Sequence, residues 1–156
     1  MSYVFDNGPF STLFRNFYRR TFRSLWERFD ALVENDSILS TLEVLREIED
    51  SSDVSLRDWA QQHRNIFTTP TPPEGLFVVK IYSIGHFQHN IERQKLLKGG
   101  KMADPFVIAK AAVQGHDVVT MEKFRANGAK IPNICSHFNV PCLSLEDFME
   151  REGWEF

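Results

Sequence analysis

Four acidic residues far apart in the chain share one kind of setting. Asp6 closes the apolar run Tyr3-Val4-Phe5, and Glu47 follows the run Ile38-Leu39-Ser40 on an expected helix. Asp104 opens the apolar stretch from Pro105 to Val113, and Glu122 comes two residues after Asp117-Val118-Val119-Thr120. In a parallel α/β sheet, strand ends and helix starts meet at one crevice, where ligands bind. Carboxylates gathered there repel one another, so they raise each other's pKa or hold a hard cation. Mg²⁺ or Mn²⁺ held by Asp6, Glu47, Asp104 and Glu122 would activate water and steady a phosphodiester transition state, with positions left open for substrate oxygens. Two plainer roles compete. Asp104 is also a good helix N-cap, favoured there with no metal. Glu43 rivals Glu47 as the second acid. Asp6 is harder to explain away, because an unpaired charge beside a buried strand is costly.

The elements that must position these acids alternate strand and helix. Tyr3–Phe5, Ile38–Ser40, Val118–Thr120 and Val140–Leu143 read as strands. Pro9 suits a helix start, where its missing N–H costs nothing. Phe10, Leu13, Phe14, Phe17, Phe22, Leu25, Trp26, Phe29, Leu32 and Val33 recur at helical steps, which predicts a long helix with a break near Thr21. Thr41 caps the next helix, and Leu56 to His63 forms another around Trp59. The proline-rich Thr68–Pro73 reads as a surface loop. Leu76 to about Lys98 reads as one helix, stopped at Gly99-Gly100. Asp104 to Gly115, Ile131 to His137 and Leu145 to Glu152 complete the set. The sum is a three-layer α/β fold with a parallel sheet of about four strands flanked by helices.

The 156 residues suit a single domain spanning 1–156, and 42% apolar and 13% aromatic content suffices for its core. A net charge of −3 does not advertise nucleic-acid binding, so cations for such a partner must cluster locally. Cys135 and Cys142 form neither a disulfide framework nor a Zn spacing, and read as buried free thiols. Asp6 interrupts the first apolar run too early for a signal peptide, and no stretch approaches the roughly 18 apolar residues of a membrane span. A soluble cytoplasmic protein is expected. His86 and His89 could share a metal, but no third ligand is evident nearby. Phosphate-cradling glycine motifs are absent. Gly8 stands where a haloacid-type phospho-acceptor site needs a second Asp.

Four segments together resemble the PIN-domain family, and within it PIN-like proteins related to VapC-type toxins. They are Tyr3-Val4-Phe5-Asp6, Ser40 through Ile48, Ala103 through Ala109, and Val118 through Phe124. The tail from Ile131 through Phe148 is similar to one PIN-like subgroup. The family's acids fall on Asp6, Glu47, Asp104 and Glu122 in order. Two positions depart from its pattern: Gly8 replaces a polar residue, and Glu122 stands where Asp is common. The resemblance implies a Mg²⁺- or Mn²⁺-dependent endoribonuclease, often the toxin of a toxin–antitoxin pair. The alternative is a catalytically degenerate PIN-fold module that binds protein or RNA.

Arg15, Arg19 and Arg23, spaced by four, would form one basic ridge on a continuous helix, with Arg20 and Arg28 beside it. Lys95, Lys98 and Lys101 lie just before Asp104. The candidate RNA contacts are Arg15, Arg19, Arg23, Lys101, Thr120 and Lys123. The aromatic residues between Phe10 and Phe29 exceed what one sheet face obviously covers. That surplus predicts contact with a second copy or a neutralising antitoxin.

Overall fold

The computed structural model describes residues 1–97 and 102–156, the side chains of 93–97 excepted. The chain forms β1 (Tyr3–Phe5), α1 (Asn7–Asn16), α2 (Arg23–Glu34), β2 (Ile38–Thr41), α3 (Leu42–Glu49), α4 (Val54–Gln62) and β3 (Phe67–Thr68). It continues through α5 (Pro72–Tyr82), α6 (Gln88–Leu97), α7 (Asp104–Gln114), β4 (Asp117–Val119), α8 (Ile131–His137), β5 (Cys142–Leu143) and α9 (Leu145–Arg151). The five strands form one parallel sheet in the order β3-β2-β1-β4-β5.

The core follows from the alternation of β1. Tyr3 and Phe5 point to one face, where Phe5 meets Phe10 of α1, Phe29 of α2 and Phe148 of α9 at ring separations of 5.2, 6.5 and 5.1 Å. Val4 points to the other face. There α7 crosses β1, β2 and β4, with α5 and α8 packed beside it. Helices therefore cover both faces, and strands buried on both sides need continuous apolar runs.

Local signals set the element ends. Thr41 and Ser144 accept backbone N–H bonds from Val44 and Asp147 at 3.3 and 3.0 Å. Gly115 stops α7 in the left-handed region at φ +72°.

Two expectations need correction. The sheet has five strands rather than four. β3 is a two-residue edge strand pairing Phe67 with Ser40 and Thr68 with Thr41, too short to show a period. The helix expected over Leu76–Lys98 is two helices, because the chain turns between Tyr82 and Gln88. The aromatic stretch divides where a break was expected, around Thr21: Phe17 (ψ 85°) and Phe22 (ψ 55°) leave helical geometry. The indole N–H of Trp26 donates to the Phe17 carbonyl at 2.7 Å, partnering a group at the break.

This break separates the expected basic ridge. Arg15 lies in the last turn of α1, Arg23 begins α2, and Arg19 lies between the two helices. Arg19 forks onto Asp30 at 2.9 and 3.3 Å and stacks 4.0 Å over Trp26, so it is engaged within the fold. Part of the aromatic stretch is buried inside the chain. Phe10, Trp26 and Phe29 are buried, and half-buried Phe17 and Phe22 meet edge-on at 5.3 Å. Tyr18 is the exposed member of that set.

No helix among the described residues is long and apolar enough to cross a membrane.

Candidate metal centre

The chain runs outward from β1 through β2 to β3, then returns to place β4 on the other side of β1. Strand order therefore reverses between β1 and β4, and the crevice at their C-terminal ends is where such folds take ligands. Asp6 leaves β1 and Glu122 follows β4, one on each side of that point. The Asp6 N–H donates to the Val119 carbonyl at 3.0 Å, which ties the two strand exits together. Asp104, the first residue of α7, completes the group. One carboxylate oxygen from each of Asp6, Asp104 and Glu122 lies within 4.8 Å of the others.

Burial gives this group its force. Asp6 is 4% and Asp104 0% exposed, so their charges are poorly screened by water. The Thr120 hydroxyl donates to Asp6 Oδ2 at 3.1 Å and accepts the Glu122 N–H at 3.1 Å. One buried side chain thus positions two acids. Asn90, also fully buried, donates to Asp104 Oδ2 at 2.9 Å and to the Ala129 carbonyl at 3.1 Å. A carbonyl can only accept, so the amide of Asn90 must face Ala129 and Asp104. Its Oδ1 then accepts the Tyr82 hydroxyl at 3.1 Å.

The negative field reaches neighbouring groups. Burial, then the charge of Asp104, holds the Tyr82 phenol well above its usual pKa. The Cys135 thiol is pushed up by its bond to Cys142 and by burial, with smaller contributions from Asp104 and Glu122. Cys135 and Cys142 are free thiols.

A cleft of about 630 Å³ opens over the acids, lined by Asp6, Asn7, Gly8, Met121, Glu122, Lys123, Arg125 and Lys130. Asp6 and Glu122 in its lining suit a hard dication, and the lining cations Lys123, Arg125 and Lys130 suit the phosphates such an ion would work on.

The expected site residues divide accordingly. Asp6, Asp104 and Glu122 come together. Glu47 is 8% exposed on α3, beside β2, and lies outside this group of mutually close oxygens. Glu43 lines a different pocket with Leu42, Arg46, Thr69, Pro70, Met102 and Phe106. Its carboxyl pKa is raised by burial, and Glu74 and Lys110 lie within electrostatic reach. Asp104 does not cap α7. Ala103 holds the cap position, and the Asp104 side chain is held by Asn90 instead. Lys123 lines the cleft, whereas Thr120 is 1% exposed and bonds to Asp6 and Glu122. Lys98, Lys101, Gly99 and Gly100 lie outside the described residues, as does the side chain of Lys95. His86 bonds through Nε2 to the Gly128 carbonyl at 3.0 Å, and among the described residues no Cys or third His joins it with His89.

Asn90, Arg125 and Lys130 went unrecognised in the sequence. Arg125 was the most accessible of these, being two residues beyond Lys123. Asn90 carried no usable signal, because only the turn before α6 brings it to Asp104.

Gly8 has a steric explanation. A Cβ there would lie 3.0 Å from both Cβ and Cγ of Met121, so the first turn of α1 and the exit of β4 approach as closely as glycine allows. A model of one family matches residues 3–156, a span that includes every acid and cation of the cleft. The chain belongs to the DUF4411 family. That family is described as a domain of unknown function. No curated protein matches the sequence.

Proposed function

We propose that this chain is a divalent-metal-dependent endoribonuclease of the PIN-like kind, hydrolysing RNA phosphodiester bonds in the cleft between the β1 and β4 exits. The observation that carries this reading is the convergence of Asp6, Asp104 and Glu122 within 4.8 Å, under a rim of Lys123, Arg125 and Lys130. The acids converge from the β1 exit, the start of α7 and the β4 exit, and two are almost wholly buried, a set of oxygen donors suited to a hard dication. RNA as the substrate rests on the resemblance of the four acidic segments to PIN domains.

The three carboxylates would hold Mg²⁺ or Mn²⁺. When bound, such an ion supplies Lewis acidity and a more acidic water. Thr120 and Asn90 fix the carboxylate orientations before substrate arrives, so little reorganisation remains for the reaction step. Lys123, Arg125 and Lys130 offset phosphate charge and keep the backbone over the acids. Glu47, on α3 beside β2, would orient water or serve a second ion.

The test is cleavage of a labelled RNA by purified protein with Mg²⁺, with Mn²⁺ and with chelator, beside Asp6→Asn. Asparagine still accepts the Thr120 hydroxyl, so the fold should persist while metal binding and cleavage fall to background. Mn²⁺ should raise the melting temperature of the native chain and not of the variant. Equal cleavage by Asp6→Asn in Mn²⁺ would falsify the assignment. RNA binding with neither metal binding nor cleavage would mark a non-catalytic module instead.

A further inference from the structure

The loop joining β4 to α8 carries more than Glu122. Phe124 lies between Lys123 and Arg125 and is 61% exposed, and neighbouring Met121 is 42% exposed. Among the described residues no aromatic ring packs on Phe124. A single exposed phenylalanine means little by itself. This one is flanked in sequence by two of the three cations that rim the acidic cleft.

The loop around it is also anchored. The Glu122 N–H bonds to the Thr120 hydroxyl at 3.1 Å. The Arg125 carbonyl accepts from Asn133 Nδ2 at 2.5 Å and from the Gly128 N–H at 2.9 Å. Asn90 and His86 hold the carbonyls of Ala129 and Gly128. A ring held in water by an anchored loop has lost little further freedom to give up on binding.

We propose that Phe124 is a base-stacking platform, and that the cleft takes single-stranded nucleic acid with one base on this ring and adjacent phosphates on Lys123, Arg125 and Lys130. Stacking needs an exposed base face, which a duplex does not offer, and it tolerates any base. Basic groups interleaved with an aromatic ring favour a nucleic acid over an apolar protein partner. The inference rests on the nuclease reading for the identity of the cleft, but binding and cleavage are measured separately.

The experiment uses full-length Asp6→Asn protein, which should not cleave, and a fluorescein-labelled oligouridine, read by anisotropy across a salt series, with a duplex as control. Phe124→Ala should weaken single-strand binding about tenfold, and Phe124→Trp should retain it. The slope of log affinity against log salt should not change in Phe124→Ala, but should flatten by about 0.7 in Lys123→Ala. Duplex binding should not respond to Phe124→Ala. Single-strand affinity within about twofold of the parent in Phe124→Ala would overturn the proposal, as would a salt slope altered like that of Lys123→Ala. If native protein fails to cleave while the Phe124 effect persists, the platform stands and the nuclease reading falls. If native protein cleaves and Phe124→Ala binds like its parent, the nuclease reading stands and the platform falls.

Discussion

Asn90 Nδ2 lies 2.9 Å from Asp104 Oδ2, and this bond makes a neutral side chain from α6 the support of an acid on α7. The same amide reaches the Ala129 carbonyl, and Tyr82 closes the chain from behind. Asn90→Ala removes a hydrogen-bond partner from Asp104, the Ala129 carbonyl and the Tyr82 hydroxyl. It should lower Mn²⁺ affinity by about 10- to 100-fold, the usual effect of losing a group that orients a ligand. Calorimetric titration measures this directly. Asn90→Asp should be worse, because it buries a second negative charge beside Asp104. Unchanged affinity in both variants would mean that Asp104 holds its orientation unaided.

Gly8 and Met121 form a testable steric pair. Glycine inside a helix costs up to about 1 kcal/mol against alanine, but an overpacked contact costs about 1–3 kcal/mol. With Met121 in place, the contact at 3.0 Å should win, and Gly8→Ala should destabilise. In a Met121→Ala background the Cγ contact is gone and the helix preference should recover ground. Denaturant unfolding of the four chains should give a coupling of about 1 kcal/mol. Additive effects would show that the two strand exits separate freely.

Glu43 and Glu47 should behave differently when made glutamine. Glu47→Gln should slow cleavage with little change in stability. Glu43 has a carboxyl pKa raised by burial, so the folded state holds its proton more tightly than the unfolded state. Its charge therefore costs stability as pH rises past the ordinary carboxylate value. Glu43→Gln should be neutral or stabilising at pH 7 and leave cleavage intact. Loss of cleavage in Glu43→Gln alone would reverse the assignment.

Lys110 supplies a pH signature. It is 1% exposed and donates to the Ser40 carbonyl and the Thr68 hydroxyl, both at 2.7 Å. Burial lowers its pKa to about 8 from 10.5, against the opposing pull of Glu74 and Glu43. Between those values the unfolded chain binds the extra proton, so the stability contribution of this group rises with pH across that window. Unfolding free energies from about pH 7.5 to about pH 10.5 should show the rise in the native chain and not in Lys110→Met. A parallel pH dependence in both would place the titration elsewhere.

Much of this arrangement was legible because buried parallel strands must be apolar throughout. Tyr3–Phe5, Ile38–Ser40 and Val118–Val119 were visible as such, and the acids at their ends came with them. The two residues of β3 were not, since an edge strand that short has no pattern to show. The break between α1 and α2 was legible only as a point near Thr21, because both helices face the same core and the aromatic stripe continues across it. That continuity also suggested a basic ridge, which needed an unbroken helix. The second acid illustrates a further limit: Glu43 and Glu47 are one helical turn apart, and only their surroundings distinguish them. Arg125 and Lys130 gain meaning from the cleft they border, which no linear spacing displays.

Parallel strand order has a consequence for when the acidic group can exist. Asp6 and Thr120 meet across a separation of 114 residues, and Glu122 stands just beyond. The Asp6 segment must wait, as the ribosome works, until β4 has emerged and slotted in beside β1. A partly made chain therefore carries isolated carboxylates but no assembled centre, and whatever chemistry the centre performs is withheld from the nascent polypeptide.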